Sequence, residues 1–160
     1  MRVALSICIA LSLGIVRMGE AQDLGIIGEA KEDGLPLIFK FVDELPSQET
    51  RQRFRWLTVI SWKYDRSIRN GMPPESTNKQ MVALEDAIDE LEKAALCRHA
   101  YSRTGNGLKE LVYYILDRDQ FMAALNHALR EHPRYPLEIK FYEDEKWEDF
   151  QNLRGRFKRN

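Results

Sequence analysis

Residues 98–116 read RHAYSRTGNGLKELVYYIL, and this stretch decides the fold because it places a tight turn between two strand-forming runs. Both runs contain apolar residues, and the second run ends with residue types that favour strands, Val112, Tyr113, Tyr114 and Ile115. Asn106-Gly107 between them is a strong signal for a two-residue turn in which both residues adopt positive φ. The sequence therefore predicts a β-hairpin with strands over 98–103 and 108–116.

A helix is predicted on each side of this hairpin. Upstream, Thr77 and Gln80 have the spacing of a capping box, and apolar residues then recur at steps of three and four over 78–97. Downstream, Asp117 and Gln120 repeat the capping spacing at the start of a second helix, which ends before Pro133. The apolar positions are Met81, Leu84, Ile88, Leu91 and Ala95 in the first helix, and Phe121, Leu125 and Ala128 in the second.

Three further strands complete the pattern. Residues 37–42 lie between two prolines, 55–65 are apolar at both parities as in a central strand, and 137–142 alternate as a half-buried strand does. Asp144 precedes a short final helix. This order predicts an α+β fold: a ferredoxin-like βαββαβ sandwich with an extra N-terminal strand and a short C-terminal helix. Both long helices would lie on one face of a single sheet.

The chain has 160 residues, of which 44% are hydrophobic and 31% are charged, and its net charge is −1. This length predicts one domain, over 35–153, between a flexible lead-in over 22–34 and a basic tail over 154–160. Balanced charge provides no long-range field that would attract nucleic acid. No clear nucleic-acid partner is therefore predicted.

The first 21 residues have the pattern of a signal peptide. A positive charge near the N-terminus precedes an apolar run over 3–16, which is shorter than the roughly 20 residues of a membrane span and typical of a secretory signal. Small residues at positions 19 and 21 suit cleavage after Ala21. The mature chain is therefore predicted to be periplasmic or secreted and to lack a membrane span. Translation from Met18 would instead leave the protein in the cytoplasm.

No catalytic residue, metal site or cofactor is predicted. The sequence has no nucleophile elbow and no phosphate-binding glycine loop, and its histidines lack the spacing of a metal motif. The histidines are His99, His127 and His132. His99 has the same parity as Tyr101 and Arg103 in a strand, a trio that suits either an anion or an ordinary polar strand face. Cys97 is predicted to be a buried, unreactive thiol.

Strand aromatics provide the candidate binding site. In an open-faced sandwich the helices cover one side of the sheet, and aromatic side chains on the other side remain free for contact. The predicted binding residues are Trp62, Tyr64 and Tyr114, and the predicted ligand is a protein partner or a second copy of the chain. The leading interpretation is an exported, non-enzymatic binding or regulatory module. The alternative is a hydrolase or transferase with an unrecognised carboxylate or histidine site, such as Glu110 or His99.

Several short motifs in a fixed order carry a resemblance to a known family. They are WLTVISWKY over 56–64, Gly71-Met72-Pro73, Leu84-Glu85-Asp86, Gly107-Leu108-Lys109-Glu110 before Tyr113-Tyr114, and Asp144 before Trp147. Residues 35–153 thus resemble bacterial proteins known as domain of unknown function 695. That family looks distantly similar to the regulator B of RNase E, a ferredoxin-like protein that inhibits by binding. The resemblance implies the same fold and no catalytic residues, and it adds a cytoplasmic inhibitor of an RNase as a further alternative.

Overall fold

The computed structural model describes residues 25–157, and the predicted signal peptide over 1–21 lies outside them. The strands are β1 (Gly25–Glu32), β2 (Leu35–Val42), β3 (Trp56–Lys63), β4 (Cys97–Gly105), β5 (Leu108–Ile115) and β6 (Leu137–Glu143). The helices are α1 (Gln48–Arg53), α2 (Glu75–Lys93), α3 (Arg118–Ala128) and α4 (Glu148–Phe157). All six strands form one sheet in the order β1-β2-β4-β5-β3-β6, and every neighbouring pair is antiparallel. The α+β class is confirmed.

The β4–β5 hairpin forms where the sequence predicts it. Gly105 pairs with Leu108, and the two residues between them, Asn106 and Gly107, have φ values of 51° and 77°. Two positive values are those of a type I′ turn, whose twist matches that of paired antiparallel strands. β3 joins the far side of β5 and lies between β5 and β6, which explains why its apolar residues fall on both faces.

The two long helices differ in how well their starts were predicted. α2 begins at Glu75 after the N-cap residue Pro74, and among the described residues no side chain caps it, so the capping box at Thr77 is wrong. Proline suits a helix start because its φ is fixed and it lacks the N–H that would go unpaired there. α3 begins as predicted, because the side chain of Asp117 accepts a hydrogen bond of 2.8 Å from the backbone N–H of Gln120.

Helices pack on both faces of the sheet, which corrects the prediction of an uncovered face. On what we call the α2 face, residues of α2 and α3 pack over a core that includes Ile60, Leu111, Tyr113, Met81, Ile88 and Phe121. On the opposite α4 face, Phe54 and residues at the start and middle of α4 pack over Leu37, Phe39, Val112 and Tyr114. The sheet therefore has a hydrophobic core on each side.

β1 replaces the flexible lead-in that was predicted over 22–34. Its eight residues pair continuously with β2, from Gly25 opposite Val42 to Glu32 opposite Leu35. Gly28 allows this strand to approach α4, since a Cβ atom there would lie 2.6 Å from Cε1 of Phe157, well inside the usual contact distance of carbon atoms. The glycine spacing that indicated a loop is thus partly a packing requirement.

Two more segments differ from the sequence prediction. α1 has no counterpart among the predicted elements; the side chain of Ser47 caps it by accepting a 3.2 Å hydrogen bond from the backbone N–H of Thr50. α4 continues to Phe157, so most of the predicted basic tail over 154–160 is helical. Arg154 in that stretch forms an ion pair of 2.5 Å with Asp43, which ties the helix to the end of β2.

Replacing Gly107 with valine should lower the free energy of unfolding by about 1 kcal/mol or more. A β-branched residue tolerates positive φ poorly, and a Cβ atom at this position would lie 2.9 Å from Cβ of Arg66. Gly155→Ala in α4 is the control: an added Cβ meets nothing within 4 Å outside its own helical backbone, and alanine is favoured in helices by about 1 kcal/mol. The urea midpoints of the two variants should move in opposite directions. Equal midpoints would contradict the positive-φ turn.

Candidate functional site

Two of the three predicted binding aromatics are core residues. Trp62 lies on the α2 face and is 4% exposed, whereas Tyr114 lies on the α4 face and is 0% exposed. The prediction placed both on an open sheet face, and helices cover both positions. Neither side chain offers a surface to a partner in the folded protein.

Tyr114 joins α4 to the sheet. Its ring stacks on Trp147 with centroids 3.8 Å apart and planes at 7°, and its hydroxyl donates a 2.7 Å hydrogen bond to the carboxylate of Asp144. The indole N–H of Trp147 donates a 2.8 Å hydrogen bond to the carbonyl oxygen of Phe54. Burial first, and the Asp144 carboxylate second, raise the pKa of the Tyr114 hydroxyl, which keeps it a proton donor.

Tyr64, the third predicted binding residue, is half-buried and supports a strained turn. Arg69, Asn70 and Gly71 have φ values of 52°, 57° and 79°, which is left-handed backbone that non-glycine residues seldom adopt. The Tyr64 hydroxyl donates a 3.0 Å hydrogen bond to the carbonyl oxygen of Gly71, which also accepts a 3.1 Å bond from the backbone N–H of Gly107. Two donors on one carbonyl hold the turn against the β4–β5 hairpin.

A β-bulge separates the trio of His99, Tyr101 and Arg103. The β4–β5 register shifts between His99 and Tyr101, and an extra residue in a strand reverses the faces of those that follow. His99 lies on the α2 face beside Tyr113, with ring centroids 5.3 Å apart. Tyr101 and Arg103 lie on the α4 face, where Tyr101 donates to Asp149. The three side chains therefore do not form one anion site.

His99 and Glu110, the residues considered for acid–base chemistry, lie on opposite faces of the sheet. Burial lowers the pKa of the His99 imidazole, although the carboxylates of Glu92 and Glu85 act in the other direction. Glu110 forms an ion pair of 3.5 Å with Arg103 on the α4 face. A catalytic acid and base must both reach the substrate, and the sheet between these two residues prevents that.

The α4 face carries a cleft of about 340 Å³ between the sheet and α4. Within it, Tyr101 donates a 2.9 Å hydrogen bond to Asp149, and Arg103 bridges Glu32 at 2.5 Å and Glu110 at 3.5 Å. Burial raises the pKa of the Tyr101 hydroxyl, whereas a hydrogen bond from Asn106 and the charge of Arg103 lower the pKa of Glu32. Both pKa values are thus moved further from pH 7. These paired groups are typical of a structural network that ties β1, β4, β5 and α4 together.

Cys97 is buried, as predicted, and burial raises the pKa of its thiol to about 12. A thiol that stays protonated at neutral pH is a poor nucleophile and a poor metal ligand. In the part of the chain that the structure describes, no group of three or more His, Cys, Asp or Glu side chains is placed to hold a metal ion. Nor is any of the described helices long and apolar enough to span a bilayer.

Among residues 25–157, the β1–β2 hairpin presents the most exposed large apolar side chain. Leu37, Phe39 and Phe41 of β2 are buried on the α4 face, so the alternate residues of β2 and their partners on β1 point to the opposite side. Ile27 lies there and is 67% exposed. We call this surface the hairpin face, and its residues are Ile27, Glu29, Lys31, Pro36, Ile38 and Lys40.

The model of the family of unknown function DUF695 matches residues 29–153, which is more than half of the chain. The chain belongs to this family. The DUF695 region begins within β1 and ends within α4, so both cores of the sheet lie inside it. Gly28 and Phe157, which contact each other, lie just outside the matched region, one at each end. No curated protein and no solved structure shows a significant match, and the similarity to the regulator B of RNase E stays a prediction.

In this DUF695 protein, Tyr114→Ala should lower the free energy of unfolding by about 3–5 kcal/mol, as large aromatic truncations in cores do. Tyr114→Phe should lower the free energy of unfolding by about 1.5–3 kcal/mol, because it removes the hydrogen bond to the charged Asp144 but keeps the ring stacked on Trp147. Tyr142→Ala is the control, since Tyr142 is 50% exposed; we expect a change within about 0.5 kcal/mol. Urea unfolding measures all three. Similar losses of unfolding free energy for Tyr142→Ala and Tyr114→Ala would contradict the assignment of Tyr114 to the core.

Proposed function

We propose that this protein is a non-enzymatic binding module that recognises a protein segment in extended conformation at the outer edge of β1. The observation that carries the proposal is the position of β1: it pairs with β2 on one side and with no other strand within residues 25–157. Such an edge presents unpaired backbone N–H and C=O groups, which an extended segment can join as an added strand.

The regularity of β1 supports this edge as a docking site. Its eight residues contain no proline and pair with β2 without a register shift, whereas natural proteins commonly protect edges with prolines or bulges. β6, the strand at the opposite edge, is as regular as β1, but its charged side chains Glu138 and Lys140 are engaged with each other. Glu138 on β6 forms ion pairs with Lys140 at 2.9 Å and with Lys63 at 3.8 Å. β1 is therefore the favoured edge.

The hairpin face indicates the chemistry of the partner. A shallow groove of about 380 Å³ runs beside β1 and β2, with Pro36 and Ile38 as apolar lining and with Glu29 and Lys31 as lining of opposite charge. An added strand places alternate side chains over this face. The expected segment has apolar residues at every second position and little net charge.

We also infer that β3, α2, β4, β5, α3 and β6 form a ferredoxin-like unit, to which β1, β2 and α4 are additions. The strand order β4-β5-β3-β6, its antiparallel pairing and the packing of both α2 and α3 on one face support this inference. In this arrangement β2 extends the sheet beside β4, and β1 becomes the outermost strand.

The hydrolase or transferase alternative has less support. His99 and Glu110 lie on opposite faces, and the polar groups of the α4 cleft are engaged with one another. A functional acid–base pair would need to converge on one cavity with pKa values tuned toward the working pH. A binding role requires only the exposed edge.

Export is part of the proposal, and the apolar run over 3–16 supports it. We expect protein purified from its native host to begin at Gln22, because the small residue Ala21 suits signal cleavage. Intact-mass measurement on the periplasmic and cytoplasmic fractions tests this. A chain that begins at Met18 and is found in the cytoplasm would exclude export and favour the cytoplasmic alternative.

Ile27→Lys should weaken edge binding at least tenfold, because it places a charge among the apolar side chains of the docked strand. The probe is a synthetic peptide that alternates valine with threonine, titrated by fluorescence anisotropy and by backbone amide NMR shifts. Val82→Lys on α2 is the control, since Val82 is also exposed, at 46%. We expect amide shifts confined to β1 and β2.

Shifts elsewhere, or equal effects of Ile27→Lys and Val82→Lys, would exclude the β1 edge as the binding site. A second copy of the chain is a distinct outcome of the same experiment. It would appear as a concentration-dependent dimer in sedimentation, which Ile27→Lys would dissociate and Val82→Lys would leave intact.

A further inference from the structure

We infer that a second site, formed by Lys40, Arg69 and Lys109 at the start of α2, binds a small phosphorylated or carboxylated anion. A cavity of about 290 Å³ lies there on the α2 face, between β2, β4, β5 and α2. We call it the basic cavity. The basic cavity shares Ile38 and Lys40 with the hairpin face, but its other residues lie on the side of β2 away from β1.

Cross-strand pairing builds the floor of the basic cavity. Ile38 on β2 lies opposite Thr104 on β4, and Thr104 lies opposite Lys109 on β5. Side chains that are paired in this way point to the same face of a sheet, at about 5 Å spacing. The row therefore places a hydroxyl group beside an ammonium group, which are both donors that an anion can use.

The charge of the basic cavity is not balanced by its own lining. Lys109 is largely buried, with 9% of its side chain exposed, and it pairs with Glu85. Glu75, the acidic residue of the lining, forms an ion pair of 2.9 Å with Lys79. Lys40 and Arg69 have no carboxylate of the described residues within 4.0 Å. Two cationic groups thus face the cavity without a protein counter-ion.

Arg69 is brought to the basic cavity by the left-handed turn that Tyr64 supports. Met72 and Pro73, which follow this turn, complete the wall on the same side. The fixed backbone at Arg69 and Asn70 means that little backbone freedom is lost when the site binds a ligand, which favours affinity. The rigid turn beside β2 therefore provides Arg69 to the site, and the strands of the sheet provide Lys40 and Lys109.

The start of α2 adds to the attraction of an anion. Glu75 and Asn78 of its first turn line the basic cavity, and among the described residues no side chain caps this end of the helix. Unpaired N–H groups and the positive end of the helix dipole favour negative charge. The carboxylate of Glu75 in the same turn opposes this field, although it is paired with Lys79, and Lys40 and Arg69 carry the inference.

The size of the basic cavity limits the ligand. A volume near 290 Å³ lies just below the range for small-molecule sites, which is roughly 300–1,000 Å³. Inorganic phosphate, pyrophosphate or a single phosphorylated metabolite fits this volume. A dinucleotide does not.

The test is calorimetric titration of the full-length protein with inorganic phosphate and with pyrophosphate. The double variant Lys40→Gln/Arg69→Gln should weaken binding at least tenfold, because it removes both free cations. The control, Lys146→Gln/Arg130→Gln, makes the same change in net charge at two exposed positions. We expect it to change the affinity less than twofold. Arg69→Gln alone, at a position outside the hairpin face, should weaken anion binding and leave peptide binding unchanged.

Equal weakening by the two double variants would show that anions respond to net charge alone, and the basic cavity would be excluded. Absence of binding at about 10 mM phosphate and pyrophosphate would also overturn the site, because it would mean that the affinity is weaker than millimolar. Circular dichroism on each variant confirms that the fold is intact. Because Arg69 lies outside the hairpin face, failure here and failure of the β1 edge are distinguishable.

Discussion

The stack of Trp147 on Tyr114 fixes α4 against the sheet, and the whole α4 face is built around this contact. The carboxylate of Asp144 accepts the Tyr114 hydroxyl and also two backbone N–H groups at the start of α4, so one side chain joins strand and helix. With α4 held there, the ring of Phe157 reaches Gly28 and keeps β1 in the sheet. An edge strand with few inward-facing large side chains thereby gains a hydrophobic contact.

Local signals in the sequence predicted the elements whose cause is local. Asn106-Gly107 needs only its own backbone to form the hairpin turn, and Asp117 caps α3 within a single turn. β1 was missed because the reason for Gly28 is an aromatic ring at the other end of the chain. The start of α2 was misplaced because Pro74 supplies it, whereas Thr77 has the spacing of a cap and lies inside the helix.

The candidate sites were harder to predict because they depend on which face a side chain occupies. Counting parity along β4 puts His99 and Tyr101 together, and a single bulge separates them; a bulge at Ala100 has no residue signature in this sequence. The basic cavity assembles Lys40, Arg69 and Lys109 from three distant segments, and no motif relates them. Trp62 and Tyr114, which were predicted to bind a partner, belong instead to the two cores.

The left-handed turn at Arg69 and Asn70 depends on a segment that lies beyond α2 in the chain. Left-handed backbone disfavours each non-glycine residue by roughly 1–2 kcal/mol, so the turn does not persist by itself. The carbonyl of Gly71 is held by donors from Tyr64 and Gly107, and Gly107 takes its place once the β4–β5 hairpin has closed. The segment before α2 is therefore coupled to the hairpin that follows α2, and a change that opens the hairpin also removes a hydrogen bond from the turn.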